Sequence, residues 1–249
     1  MKILAIGNSF SEDATKYLHQ MAKADGVDLK VVNLYIAGCS LETHWNNVLA
    51  DAKAYEYSIN GEFKGRMASI KEVLLEEKWD FITLQQNSGL SGIKESYYPF
   101  IRNISNYVSE LAPKAKQVIH ETWAYEINSS HAAFPRYNNS QETMFNKLKE
   151  AYYSVAKEMD MPLIPCGDAV QELRKDKAFD YENGGISLCR DGYHMHLIYG
   201  RYLTGALWYK FFTGRPIMEN SFSFEVEEEV DKNLIYLIKD FLDKKYIFK

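Results

Sequence analysis

The sequence predicts an α/β protein of three layers, with helices on both faces of a central, mostly parallel sheet of about five strands and an inserted β-hairpin. Three observations predict it. Short apolar runs such as Ile3-Leu4-Ala5-Ile6 alternate with stretches of helical spacing. The alternation reads βαβα along the chain, which calls for crossover helices and parallel pairing. An Asn-Gly pair at Asn60-Gly61 lies amid alternating residues, a strong short-range hairpin signal.

Taken in order, Lys2 to Ile6 is a buried strand bounded by Gly7, and the spacing turns helical from Ser11, with Ala14, Tyr17, Leu18, Met21 and Ala22 on one stripe. Glu12 and Asp13 fall in its first turn, where carboxylates suit the helix dipole. Leu29 to Tyr35 is the second strand and Tyr55 to Lys64 the hairpin. A helix over Met67 to Lys78 leads to the strand Asp80 to Leu84, and a helix over Tyr97 to Leu111 to the strand Lys116 to Glu121. Thr122 to Asn139 is a long irregular segment, a length that is uncommon without a function. Gln141 to Glu158 is a helix, Met161 to Pro165 a short fifth strand, and Asp168 to Lys175 a short helix. Asn183-Gly184-Gly185 loosens the chain before helices at Leu197 to Phe212 and Val230 to Leu242, and the acidic stretch Glu225 to Glu229 reads as a solvated face or helix start. No repeat or low-complexity linker interrupts the chain, so Met1 to Lys249 reads as one domain.

The composition is ordinary for a globular protein, 46% hydrophobic and 25% charged. A net charge of −5 offers no basic footprint for nucleic acid or an anionic membrane. Cys39, Cys166 and Cys189 are widely spaced and odd in number, which suits buried thiols better than a disulfide framework or a zinc site. No stretch has the apolar length of a membrane span, and no signal-like segment precedes the first strand. The expected location is therefore the cytoplasm, or the periplasm or exterior if a signal peptide has been trimmed away.

Chemistry concentrates at the two ends of the chain. Ser9 sits where a buried strand hands over to a helix N-terminus, a place with free backbone N–H groups and a positive dipole end. A hydroxyl there can attack a carbonyl, or it can serve as an N-cap or phosphate ligand. Asp191-Gly192-Tyr193-His194 supplies an Asp-x-x-His pair, the base and orienting carboxylate that a serine nucleophile needs. Gly38 lies at the end of the second strand, either as an N–H donor to a ligand or as a plain turn glycine. The strand Asp80 to Leu84 delivers Gln85, Gln86 and Asn87 to the same sheet edge. In the long segment, Trp123, Tyr125, Arg136 and Tyr137 form a substrate-pocket wall or else cover the sheet edge, and His131 has nothing to orient it as a base. His194-Met195-His196 offers only two clustered donors, so neither a metal nor a cofactor is expected.

Gly7-Asn8-Ser9-Phe10, the isolated Gly38, Asn87 in Gln85-Gln86-Asn87-Ser88, and Asp191-Gly192-Tyr193-His194, in that order, resemble the SGNH (GDSL-type) hydrolase superfamily of esterases, lipases, carbohydrate deacetylases and thioesterases. Two places depart from the family pattern: its Gly-Asp-Ser-Leu is Gly7-Asn8-Ser9-Phe10 here, and Gln85 replaces the glycine two residues before the asparagine. The resemblance implies a flavodoxin-like plan. It implies Ser9 as nucleophile, His194 as base oriented by Asp191, and an oxyanion hole of the Ser9 and Gly38 N–H groups with the Asn87 amide, Gln86 being the fallback. The implied substrate is a short-chain acyl ester, such as an O-acetyl group on a carbohydrate or similar small molecule. Alternatives are a thioesterase or lysophospholipase with the same triad, and a non-enzymatic phosphate- or flavin-binding module on the same architecture.

Overall fold

The computed structural model describes residues 1–225 and 229–248, so the centre of the acidic stretch predicted at Glu225 to Glu229 lies outside the described residues. Its strands are β1 (Lys2–Gly7), β2 (Lys30–Tyr35), β3 (Tyr55–Ile59), β4 (Glu62–Ala68), β5 (Phe81–Leu84), β6 (Lys116–His120) and β7 (Leu163–Ile164). They form one sheet in the order β4-β3-β2-β1-β5-β6-β7. β2, β1, β5, β6 and β7 run parallel; β3 and β4 continue the sheet antiparallel.

The helices are α1 (Ser9–Thr15), α2 (Leu18–Ala24), α3 (Leu41–Leu49), α4 (Ile70–Glu76), α5 (Phe100–Leu111), α6 (Gln141–Met159), α7 (Cys166–Leu173), α8 (Tyr199–Thr213) and α9 (Lys232–Lys245). α1, α2, α7, α8 and α9 pack together as one layer, and α3, α4 and α5 as another, with α6 joined through the turn Lys94–Tyr97. The α/β class and the parallel core are as the sequence predicts. β1 is the centre: Ile3, Leu4, Ala5 and Ile6 are at most 1% exposed. A strand buried on both faces must be apolar throughout, which is why its sequence does not alternate. α8 is buried along nearly its whole length because the sheet lies on one side and other helices on the other.

Several elements differ from expectation, each for a local reason. The predicted hairpin is present as β3 and β4, but it also widens the sheet: β3 pairs with β2, with Val32 opposite Ile59, so there are seven strands rather than about five. Its tip takes left-handed backbone at Asn60 (φ 54°) and Gly61 (φ 82°), and a Cβ on Gly61 would stand 2.3 Å from the Lys16 carbonyl oxygen. The single helix expected from Ser11 divides into α1 and α2, and at the break the Tyr17 hydroxyl donates to the Leu197 carbonyl at 2.9 Å. α3 is not predicted from the sequence, although Ser40 caps it by accepting from the Thr43 N–H at 3.1 Å. β7 is a two-residue strand rather than a run to Pro165. All three cysteines are buried and unpaired, as expected.

Candidate active site

The chain leaves β1 for β2 on one side and returns to β5 on the other. That reversal is a topological switch point at the carboxyl end of β1, the place at which α/β sheets bind ligands. Ser9 follows β1, Gly38 follows β2 and Asn87 follows β5, so three adjacent strands bring them to one edge.

The turn into α1 is built tightly. A Cβ on Gly7 would stand 2.2 Å from Ser11 Oγ, so only glycine fits there. Asn8 is the N-cap, and its Oδ1 accepts from the Phe10 N–H at 3.0 Å and from Gln85 Nε2 at 2.8 Å. Asn8 Nδ2 donates to the Cys39 carbonyl at 3.1 Å. An amide both donates and accepts, which an ionised aspartate cannot do, and this accounts for asparagine at position 8, where the pattern that the sequence resembles has aspartate. Gln85 Oε1 in turn faces His120 Nδ1 at 2.8 Å. Burial pulls the His120 imidazole down to about 3, so it is neutral and its Nδ1–H donates to Gln85. Gln85 therefore joins β6 to the cap of α1, a bridge that a glycine could not make.

Gly38 has φ +62°, a conformation that favours glycine, and space is open around it. Its carbonyl accepts from Asn87 Nδ2 at 3.0 Å, and Asn87 Oδ1 accepts from the Leu90 N–H at 2.9 Å. The Asn87 amide is thereby fixed in orientation, with one Nδ2 hydrogen left over. Gln86 is different. It is fully buried, its Oε1 accepts from the Leu41 and Asn87 N–H groups at 3.0 and 2.9 Å, and its Nε2 donates to the Ser96 carbonyl at 3.0 Å and hydroxyl at 3.1 Å. With all four positions filled, the fallback Gln86 has no hydrogen to offer a ligand.

His194 and Asp191 meet within one loop. Asp191 Oδ2 lies 2.7 Å from His194 Nδ1, and Oδ1 accepts from the His194 N–H at 2.8 Å and the Tyr193 N–H at 3.2 Å. Because a carboxylate only accepts, Nδ1 carries the hydrogen and Nε2 is the open acceptor. Burial pushes the Asp191 carboxyl up, but the His194 ring and the two backbone N–H groups more than offset this and hold it below its usual value. The Phe10 ring, next to Ser9, stands 6.3 Å from the His194 ring and stacks on Trp123 at 4.3 Å. His196, the neighbour, turns its Nδ1 to the Ile198 and Tyr199 N–H groups at 3.2 and 3.4 Å, at the entrance to α8.

The sequence missed the group that ties this loop to α1. Asp13, expected in a first turn for the dipole, is fully buried and accepts from Arg190, Arg201 and the Met195 N–H. Only the downstream arginines could have signalled it.

The aromatic segment also needs correction. Trp123, Tyr125 and Tyr137 are at most 1% exposed and do not form an open wall. Trp123 Nε1 donates to the Tyr193 carbonyl at 2.8 Å, Tyr125 OH pairs with Ser88 Oγ at 2.8 Å, and Tyr137 OH donates to the Gly89 carbonyl at 3.2 Å. Each ring body is buried while its polar tip finds a partner, so these residues brace the site from behind. Arg136 stays at the surface, with Nη1 3.3 Å from the Gly89 carbonyl. His131 sits at the rim, its ring 4.7 Å from that of Tyr193. A groove of about 1110 Å³ lined by Phe222, Phe224, Ile235 and Tyr236 lies against α9 and shares no lining residue with the Ser9 edge. Among the described residues no three His, Cys, Asp or Glu side chains form a metal-binding group, and no helix is long and apolar enough to cross a membrane.

No curated protein matches the chain in sequence. Among solved structures, a DUF4886 family protein from Bacteroides uniformis is 35% identical, with a TM-score of 0.89 over 98% of this chain and 93% of that one. A protein from Slackia heliotrinireducens provisionally assigned as an SGNH hydrolase is 20% identical, with a TM-score of 0.54 over 84% and 97% of the two chains. An acetyl xylan esterase is 14% identical, with a TM-score of 0.54 over 84% and 98%. The fold is thus that of the SGNH hydrolases at a distance. The family model for a domain of unknown function, DUF4886, matches residues 2–236, and with the Bacteroides uniformis relative it shows that the chain belongs to the DUF4886 family.

Proposed function

We propose that this protein is a serine-dependent ester hydrolase acting on short-chain acyl esters, with O-acetyl groups of a carbohydrate or similar small molecule as the substrate class. The observation that carries the reading is the His194–Asp191 pair at 2.7 Å, on a loop clamped to the helix that opens with Ser9. The distant likeness to SGNH hydrolases, an acetyl xylan esterase among them, supports it by analogy of fold.

In this mechanism the Ser9 hydroxyl attacks the acyl carbonyl while His194 Nε2 takes its proton, and Asp191 stabilises the resulting imidazolium through Nδ1–H. The tetrahedral oxyanion is held by the Ser9 and Gly38 N–H groups, which have no acceptor among the described residues, and by the spare Asn87 hydrogen. The imidazolium then protonates the departing alcohol, leaving an acyl-Ser9 ester. Water, deprotonated by His194, releases the acid and restores the enzyme. The short-acyl preference is part of the proposal, and the Phe10 ring, 6.3 Å from the imidazole and stacked on the buried Trp123, supports it by standing close to the base.

The test is hydrolysis of nitrophenyl esters of increasing acyl length and of acetylated sugars, with Ser9→Ala run alongside. Turnover highest on acetate and abolished in a folded Ser9→Ala is expected, with an organophosphonate labelling Ser9 alone. Undiminished turnover in Ser9→Ala would end the mechanism. A maximum at long acyl chains would move the protein to the thioesterase or lysophospholipase reading.

A further inference from the structure

We propose that Asp13 is a positioning residue: its buried carboxylate holds the His194 loop in register with Ser9. This rests on the esterase reading for its catalytic consequence, but the clasp itself is a mechanical claim.

Ser9 and His194 come from opposite ends of the chain, so something must set their relative placement. Asp13 lies about one helical turn beyond Ser9 on α1. It is 0% exposed, yet carries a side chain that is costly to bury unless fully paired. Its oxygens are fully used. Oδ1 accepts from Arg190 Nη1 at 3.0 Å and Arg201 Nε at 2.7 Å; Oδ2 accepts from Arg190 Nη1 at 3.1 Å and the Met195 N–H at 2.8 Å. Met195 is the residue after His194. Arg190 Nη1 also donates to the Met195 carbonyl, and the Arg190 N–H donates to the His194 carbonyl at 2.9 Å. Residues 190–195 are therefore a closed loop that already contains the Asp191–His194 pair, and the Asp13 carboxylate fastens this loop to α1. Apolar packing alone would let the loop slide, because burial has no direction; hydrogen bonds to a fixed carboxylate do not.

The consequence is specific. Loosening the clasp leaves the Asp191–His194 bond intact within its loop but shifts the imidazole relative to the Ser9 hydroxyl. A misplacement of about 1 Å in a reacting pair costs on the order of a hundredfold in rate.

The experiment uses Asp13→Asn and Arg190→Gln in the full chain. One amide oxygen cannot serve both arginines and the Met195 N–H, so hydrogen exchange of the Met195 amide should quicken tenfold or more while that of α5 is unchanged. On a chromogenic acetate, kcat should fall about tenfold to a hundredfold with KM within about twofold, and the double variant should be no worse than the worse single one. If Asp13→Asn does not fold, Arg190→Gln carries the test, since that side chain is 29% exposed. Unchanged Met195 exchange in the folded variants overturns the clasp, and lost protection with undiminished kcat overturns its positioning role. A wild type that hydrolyses no ester ends the esterase reading and with it the catalytic consequence, while the exchange measurement still decides the clasp.

Discussion

Asn87→Ala and Gln86→Ala should fail in different ways, although the two carboxamides are neighbours. Asn87→Ala deletes an amide whose nitrogen reaches the Gly38 carbonyl at 3.0 Å and whose oxygen takes the Leu90 N–H at 2.9 Å. Both bonds are at least partly open to water, so the stability loss should be about 2 kcal/mol at most, at roughly 1 kcal/mol per bond. The rate loss should be larger: one oxyanion donor is worth about a hundredfold or more in kcat, roughly 3 kcal/mol, with little change in KM. Gln86→Ala reverses the balance. The sequence alone suggests a silent change, but this fully buried side chain accepts from two backbone N–H groups and donates to Ser96. Truncation strands one buried and one partly buried donor, the Leu41 and Asn87 N–H groups, at up to about 1–3 kcal/mol each and opens a cavity as well. At about 2–4 °C per kcal/mol for a chain of this size, the melting temperature should drop by roughly 10 °C. Steady-state kinetics on a chromogenic acetate and thermal denaturation of both variants check this, with Asn87→Asp as the control that keeps the oxygen for Leu90 but has no hydrogen to donate. A Gln86→Ala as stable as wild type but crippled in kcat, beside an Asn87→Ala of normal kcat, would refute the assignment.

Two further outcomes concern buried ionisable groups away from the site. Burial and the neighbouring Asp168 raise the Glu121 carboxyl well above its usual value, so its contribution to stability is full below about pH 4.5 and is lost as pH rises. Glu121→Gln, which keeps an oxygen for the Asp168 N–H, should therefore raise the melting temperature more at pH 8 than at pH 5. His44 and His120 are held near 3 by burial against 6.5 when free. Their contribution is complete above about pH 6.5 and is lost as pH falls toward 3, by up to about 1.4 kcal/mol per pH unit each, so His120→Gln should flatten the acid limb of a urea-unfolding series.

Features written in local chemistry were legible in the sequence. β1 is apolar from Ile3 to Ile6 because both faces are covered there, the Asn60-Gly61 pair has few other uses, and Asp191 and His194 are close enough in sequence to share one loop. Features that depend on partners far along the chain were not. Asp13 reads from the sequence as a first-turn carboxylate suited to the helix dipole, because Arg190, Met195 and Arg201 lie at the other end of the sequence. Trp123, Tyr125 and Tyr137 read as a pocket wall because an aromatic ring carries the same signal at a ligand surface and in a core. The extent of the sheet was hidden likewise: a hairpin announces its own turn but not the strand it will lie beside.

How the sheet ends has a consequence for association between chains. A long flat margin with unpaired N–H and C=O groups is a template on which another chain can add a strand. Here one margin is β7, a strand of two residues, which offers almost no ladder. The other is β4, which carries Glu62, Lys64 and Arg66, pairs Lys64 with Glu62 and Arg66 with Glu76, and breaks its extended path at Gly65 with φ +64°. Charges and a kink make that margin a poor match for a straight incoming strand. The same hairpin that widens the sheet therefore also closes it to growth by edge-to-edge stacking.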